Sequence, residues 1–153
     1  MSRPRALITG ASKGIGTAVA RALAPTHRLL LGGRDRQALQ VLADELPEAT
    51  PWAVDLTDAD AVEKAVAEVD SLDVLVHSAG VAALGTVEES AADVWRYNFE
   101  INVVAVAELT RLLLPALRAA EGHVVLINSG SGRNARAGWG PYAASKFALR
   151  ALA

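Results

Sequence analysis

The sequence predicts an α/β fold, a doubly wound parallel sheet with strand order 3-2-1-4-5, and three observations carry that prediction. Segments of strand and helix character alternate five times along the chain. The strand cores Ala6-Leu7-Ile8, Leu29-Leu30-Leu31, Val74-Leu75-Val76 and Val124-Val125-Leu126-Ile127 are apolar runs without polar alternation, as in strands buried on both faces. Glycine and polar residues gather where the strands end, at Thr9-Gly10, Gly33-Arg34, Asp55-Leu56, Ser78-Ala79-Gly80 and Asn128-Ser129, and ligands of such sheets bind beyond the carboxyl ends. Sequential strand-helix units with right-handed crossovers allow little besides that order.

Each element has a local reason. Ala6-Leu7-Ile8 runs into Thr9-Gly10-Ala11-Ser12-Lys13-Gly14-Ile15-Gly16, read as strand, tight turn and helix start. The following helix shows Ile15, Val19, Ala22 and Leu23 on one side and ends near Pro25. Arg28 to Leu31 is the second strand, and Asp35 caps a helix with Leu39, Leu42 and Leu46 as its buried stripe. Pro51 to Asp55 is the third strand. Thr57 with Asp60 resembles a capping box, opening a helix that carries Val62, Ala65, Val66 and Val69. Leu72 to Val76 is the fourth strand, and loop follows to about Glu88. Ser90 to Ala120 is helical in two pieces meeting near Asn98 to Asn102, with Pro115 expected to bend the second. Val124 to Ile127 is the fifth strand, Asn128 to Gly140 a polar loop, and a last helix begins around Pro141.

With 153 residues, 52% of them hydrophobic, the expectation is one domain over 1–153 with its own core. Net charge is −2, with 15 basic and 17 acidic side chains interspersed, so no nucleic-acid or membrane partner is implied. The absence of cysteine excludes disulfides, zinc-thiolate sites and thiol catalysis. His27, His77 and His123 lie far apart, and no metal site is expected. Met1 to Arg5 has no apolar leader segment and no run reaches membrane-spanning length, so a cytoplasmic protein is expected.

Tyr142 and Lys146 stand four apart, on one face of the last helix. Stabilising a phenolate near neutrality takes roughly 4 kcal/mol. A cation about 4 Å away supplies that only where water is largely excluded.

These residues resemble the short-chain dehydrogenase/reductase family, and the resemblance runs over the whole chain. Thr9 to Gly16 matches its glycine motif, Tyr142-x-x-x-Lys146 its catalytic motif, Ser129 its serine and Asn102 the asparagine that completes a tetrad; Asp55-Leu56 resembles the pair that contacts adenine. The resemblance implies a Rossmann fold and an oxidoreductase moving a hydride between NADP(H) and a small carbonyl or alcohol substrate. Tyr142 would be general acid and base, Lys146 would stabilise the phenolate and hold the nicotinamide ribose, Ser129 would bind the substrate oxygen, and Asn102 would position a water. Gly10, Ser12, Lys13, Gly14, Ile15, Gly16, Arg34, Asp55, Leu56, Ser78, Ala79, Gly80, Tyr142 and Lys146 would hold the cofactor. Where many members have Asn-Asn-Ala-Gly, this chain has His77-Ser78-Ala79-Gly80, and His77 is expected to be packed rather than catalytic.

NADP(H) is expected over NAD(H), because Gly33 stands at the usual acidic position, Arg34 follows it, Lys13 adds charge at the glycine loop, and Asp35 is better placed to cap a helix. A homo-oligomer, dimer or tetramer, is expected from the family habit and from apolar residues around Val103, Val106, Leu109, Leu112, Leu113 and Leu117. Trp52, Trp95 and Trp139 read as core or pocket wall. Arg133 and Arg136 read first as solvated loop charge, with an acidic substrate as the alternative. The chain ends seven residues after Lys146 with the pattern of Phe147, Leu149 and Leu152 still running, so it is expected to be incomplete, with C-terminal strands missing. The alternatives to an enzyme are a cofactor-binding fragment without turnover and a non-catalytic interaction module.

Overall fold

The computed structural model describes residues 3–153; Met1 and Ser2, part of the stretch read above as lacking a leader, lie outside them. The strands are β1 (Arg5–Ile8), β2 (Arg28–Gly33), β3 (Ala49–Ala53), β4 (Val74–His77) and β5 (His123–Leu126), and they form one sheet in the order β3-β2-β1-β4-β5. The pairings of β1 with β2, β1 with β4 and β2 with β3 are parallel. The helices are α1 (Gly14–Leu23), α2 (Arg36–Glu45), α3 (Ala59–Val66), α4 (Ala92–Phe99), α5 (Ala105–Ala119) and α6 (Gly140–Ala151). The chain forms two compact units, one of residues up to Ala79 with Leu109–Val125, the other of Gly80–Glu108 with Leu126–Ala153.

In the first unit, side-chain alternation decides what covers the sheet. Leu7 is in register with Leu30 and Leu75, so these three share a face, and they join Val62 of α3 and Leu109, Leu113 and Leu117 of α5 in one core cluster. Ile8 is in register with Leu31 and Val76 on the opposite face, buried where α1 packs on β1 and β2 and α2 on β2 and β3. Each fully buried leucine contributes about 1.5–3 kcal/mol, so the sheet centre is held from both sides. Leu109, Leu113 and Leu117, part of the apolar surplus assigned above to subunit pairing, face this core instead.

Several local expectations need correction. On α1 the buried residues are Gly16 and Ala20, while Ile15 is 60% exposed. Gly16 lies against the backbone of Gly10 and Ala11, so the inward positions of α1 go to small residues rather than to the apolar stripe. β3 lies two residues earlier than expected and ends before Asp55. Asp58, not Thr57, caps α3, its carboxylate accepting from Ala61 N at 3.0 Å. Thr57 instead donates its N–H and its hydroxyl to Asp55 Oδ1, at 3.0 and 2.8 Å. β4 begins at Val74 rather than Leu72, and β5 lies one residue earlier than expected, at His123–Leu126. β5 is also not buried on both faces: it is last in the sheet order, and Val124 and Val125 are 40% and 42% exposed. Asp35 does cap α2, accepting from Ala38 N at 3.0 Å.

In the second unit, α6 packs on α4, on the segment between α4 and α5, and on a short 3-10 turn at Gly130–Gly132. The junction expected near Asn98 to Asn102 is a π-helical turn, Glu100–Val104. Such turns insert one residue into an α-helix and are frequent at functional sites. Among the described residues no helix is long and apolar enough to cross a membrane.

Candidate active site

The residues singled out from the sequence fall into two groups, each inside one unit. In the first unit Gly10 (φ 65°) turns the chain after β1, and a Cβ there would come within 2.8 Å of the Ala79 backbone. Only glycine combines that dihedral with that approach. Gly16 is closed in another way, since a Cβ would run into Gly10 O and lie 2.7 Å from its carbonyl carbon. Gly14 (φ 57°) faces open space. The turn therefore presents unobstructed backbone at the start of α1, where Lys13 and Ile15 are exposed, Ser12 is half-buried and the first turn contains no acid. Free N–H groups and the positive end of the helix dipole suit a phosphate there.

Thr9 anchors this arrangement: its Oγ1 accepts from Ser78 N and Ala79 N, both at 3.1 Å, and donates to Val76 O at 3.4 Å. Arg34 is exposed just past β2. Asp55 and Leu56 follow β3 half-buried, and the hydrogen bonds from Thr57, with the Arg34 guanidinium adding to them, lower the Asp55 pKa. His77 ends β4 at 2% exposure, its Nε2 2.9 Å from Thr110 Oγ1 and its Nδ1 without a partner. Burial pushes its pKa down to about 4, so the ring is neutral and packed.

The second unit brings Gly80, Asn102, Tyr142 and Lys146 together. The position of a Gly80 Cβ lies 3.2 Å from Asn102 Oδ1 and 3.7 Å from Lys146 Nζ. Lys146 Nζ stands 5.9 Å from the centre of the Tyr142 ring and donates to Ile127 O at 3.2 Å. Lys146 is 5% exposed, and burial lowers its pKa. Asn102 is fully buried: Oδ1 accepts from Val81 N, and Nδ2 donates to Val81 O and Ser145 Oγ, each at 2.9 Å. Ser145 Oγ donates to Tyr142 O at 2.7 Å, so the π-helical turn is bonded to the first turn of α6. Ser129 stands before the 3-10 turn with its Oγ accepting from Ser131 N at 3.1 Å, which leaves its own proton to donate.

Sequence reasoning missed the residues that hold these groups in place. Asn128 Nδ2 donates to Lys146 O at 3.1 Å, joining the loop after β5 to α6. Asn98 Nδ2 donates to Ala83 O and Val94 O, both at 2.9 Å. Thr9 and Ser145 act likewise. The available signal was a single polar residue inside or just beyond an apolar segment.

A sequence profile described as short chain dehydrogenase matches residues 4–153. A bovine protein named dehydrogenase/reductase SDR family member 7B is 35% identical over 162 residues, covering 95% of this chain and 50% of its own length. A short-chain dehydrogenase from Streptomyces avermitilis superposes with a TM-score of 0.93 at 36% identity, over 99% of this chain and 58% of its own. An alcohol dehydrogenase from Thermococcus sibiricus, solved with 5-hydroxy-NADP, superposes with a TM-score of 0.94 at 31% identity, over 99% of this chain and 68% of its own. The chain thus spans about half the length of the bovine relative it matches.

Proposed function

Because the chain belongs to the short-chain dehydrogenase family, we propose that its protein is an oxidoreductase acting on a carbonyl or alcohol with NADP(H). The observation that carries this reading is the cluster of Asn102, Tyr142 and Lys146 around Gly80. A fold kept only for interaction would need no buried lysine beside a half-buried phenol.

The residues fit such a cofactor. Gly14 and the start of α1 offer open backbone to phosphate, and Ser12, Lys13, Ile15, Ser78 and Ala79 of the same unit are assigned to the cofactor with them. Asp55 and Leu56 are assigned to adenine. Arg34 is assigned to the 2′-phosphate; its exposure just past β2 and the engagement of Asp35 in capping α2 support that choice over NAD(H). When bound, NADP(H) supplies or accepts the hydride.

The side chains handle the proton and the charge. Tyr142 gives its phenolic proton to the substrate oxygen in reduction and takes it back in oxidation. Ser129, with its oxygen already accepting from Ser131 N, donates to the same oxygen as negative charge grows there. Lys146 stabilises the phenolate, in a burial where the opposite charge interacts more strongly than in water. Asn102 holds a water in the proton path through the Oδ1 lone pair that Val81 leaves free. Exposed Tyr97, Val104 and Phe147 favour a homo-oligomer, which light scattering of the full protein tests.

NADPH oxidation by the full-length protein over a panel of ketones and aldehydes is the direct test. Turnover with NADPH at least tenfold more efficient than with NADH is expected; absence of both cofactor binding and turnover would remove the reading.

A further inference from the structure

The loop between Asn128 and α6 holds a cavity of about 270 Å³ lined by Ser129, Gly130, Ser131, Asn134, Arg136 and Trp139. That size suits a small metabolite. Its only charge is the Arg136 guanidinium. Trp139 N donates to Arg136 O at 3.1 Å and Gly138 has φ 75°, a type II turn signature over residues 136–139. The turn is pinned, since Gly85 N donates to Gly138 O at 2.7 Å and Gly140 N to Gly85 O at 3.2 Å. The guanidinium sits 5.6 Å from the centre of the Trp139 ring, which in turn lies 6.0 Å from the Tyr142 ring. Arg136 has no carboxylate partner among the described residues.

The charge distribution points the same way. All 17 acidic residues lie at or before Glu121. Beyond it come Arg133, Arg136, Lys146 and Arg150, so the last segment carries +4 while the other 11 basic residues leave the rest at 11 − 17 = −6, for a total of −2. The stretch that holds Ser129, Tyr142 and Lys146 thus carries basic and no acidic side chains, in a chain whose net charge is negative.

On the roles proposed above for Ser129 and Tyr142, we infer that the substrate carries, besides its carbonyl or carbinol, an anionic group, carboxylate or phosphate, which Arg136 receives in this cavity. A guanidinium offers two parallel donors to either group, and stacking on Trp139 restricts the rotamers that would otherwise be lost on binding. Arg136 is exposed, so its guanidinium is open to an incoming anion as well as to solvent, and the cavity it lines opens beside Ser129.

Matched substrates test this in the full-length protein: levulinate against its methyl ester, and dihydroxyacetone phosphate against dihydroxyacetone. A KM at least tenfold lower for one or both anionic members is expected, and which pair shows it identifies the group. Arg136→Met keeps the stacking but not the charge, and should bring that ratio below threefold, with Arg136→Lys between the two. A wild type indifferent to the charge, or a ratio that survives in Arg136→Met, overturns the inference. A second measurement is independent of turnover: titration with succinate, inorganic phosphate and neutral succinamide, followed by tryptophan fluorescence. Saturable binding of an anion that is lost in Arg136→Met supports the site even if no carbonyl is reduced, a result that would remove the oxidoreductase reading alone. Turnover of neutral carbonyls without saturable anion binding would overturn the site and leave that reading standing.

Discussion

The glycine turn after β1 and the first turns of α6 both position groups that the proposed function assigns to a ligand, by opposite means. At the glycine turn the positioning is done by backbone that packs too closely for any side chain, as at Gly10 against Ala79 and Gly16 against Gly10. Around α6 it is done by buried polar side chains, Asn102, Ser145 and Asn128, each bonded to a segment distant in sequence. The first design tolerates no added volume, and the second no lost hydrogen bond. Damage to the first should therefore appear as lost folding together with lost binding. In the second, a reacting group can be removed while the frame survives.

The largest effect expected is on that reacting group. Tyr142→Phe should lower kcat about a thousandfold, equivalent to about 4 kcal/mol of barrier. Because Ser145 bonds the backbone carbonyl of Tyr142 and not its ring, the frame should stand, and NADPH affinity should fall far less than kcat, by no more than the one phenol contact assigned to the cofactor. Fluorescence titration alongside steady-state rates checks both halves, and a parallel loss of affinity would erase the contrast between the regions. Next comes Gly16→Ala, whose methyl meets the Gly10 carbonyl; urea unfolding should show a loss of roughly 3 kcal/mol, with NADPH binding weakened in the same variant. Unchanged stability would mean that the turn yields where close packing says it cannot.

His77 sharpens the comparison, being a buried titratable side chain in the backbone-built region. Its folded pKa of about 4 lies below the unfolded value of 6.5, so the unfolded chain binds the proton first. The stabilising effect of a neutral His77 is complete above pH 6.5 and is lost as pH falls toward 4. Between pH 7 and 5 this amounts to about 2 kcal/mol, and His77→Asn should flatten that part of the stability profile. The smallest effect falls on Arg34, a side chain expected to discriminate within a region otherwise made of backbone. Arg34→Ala should weaken NADPH binding about tenfold, or about 1.4 kcal/mol, and leave NADH nearly unchanged; equal losses for both would reassign the 2′-phosphate contact.

The two regions were not equally legible in the sequence. The glycine turn could be read because positive φ and close approach leave their mark as glycine spacing. Asp35 could be read as a cap because its neighbours alone decide it. The bonds of Asn102 to Val81 and Ser145 join residues 21 and 43 apart, and no local pattern encodes such pairs. The exposure of Val124 and Val125 agrees with the order β3-β2-β1-β4-β5 that the sequence predicts, which puts β5 at an edge; the apolar run taken alone misled, because such a strand looks alike at the centre and at the edge of a sheet. Ile15 was misjudged because the inward positions of α1 are taken by the small residues Gly16 and Ala20, which a hydrophobic stripe does not single out.

The π-helical turn at Glu100–Val104 has a consequence for chain length. It amounts to an insertion of one residue absorbed inside a helix rather than in a loop. Deleting a residue there would let the segment close into regular α-helix and improve its local geometry, but it would carry Asn102 off its partners by about 100° of rotation, from 3.6 residues per turn. The regular helix and the polar anchor are thus mutually exclusive states of one segment. Among relatives compared at this helix, a one-residue gap would separate chains that keep the anchor from chains that have given it up for a smoother helix.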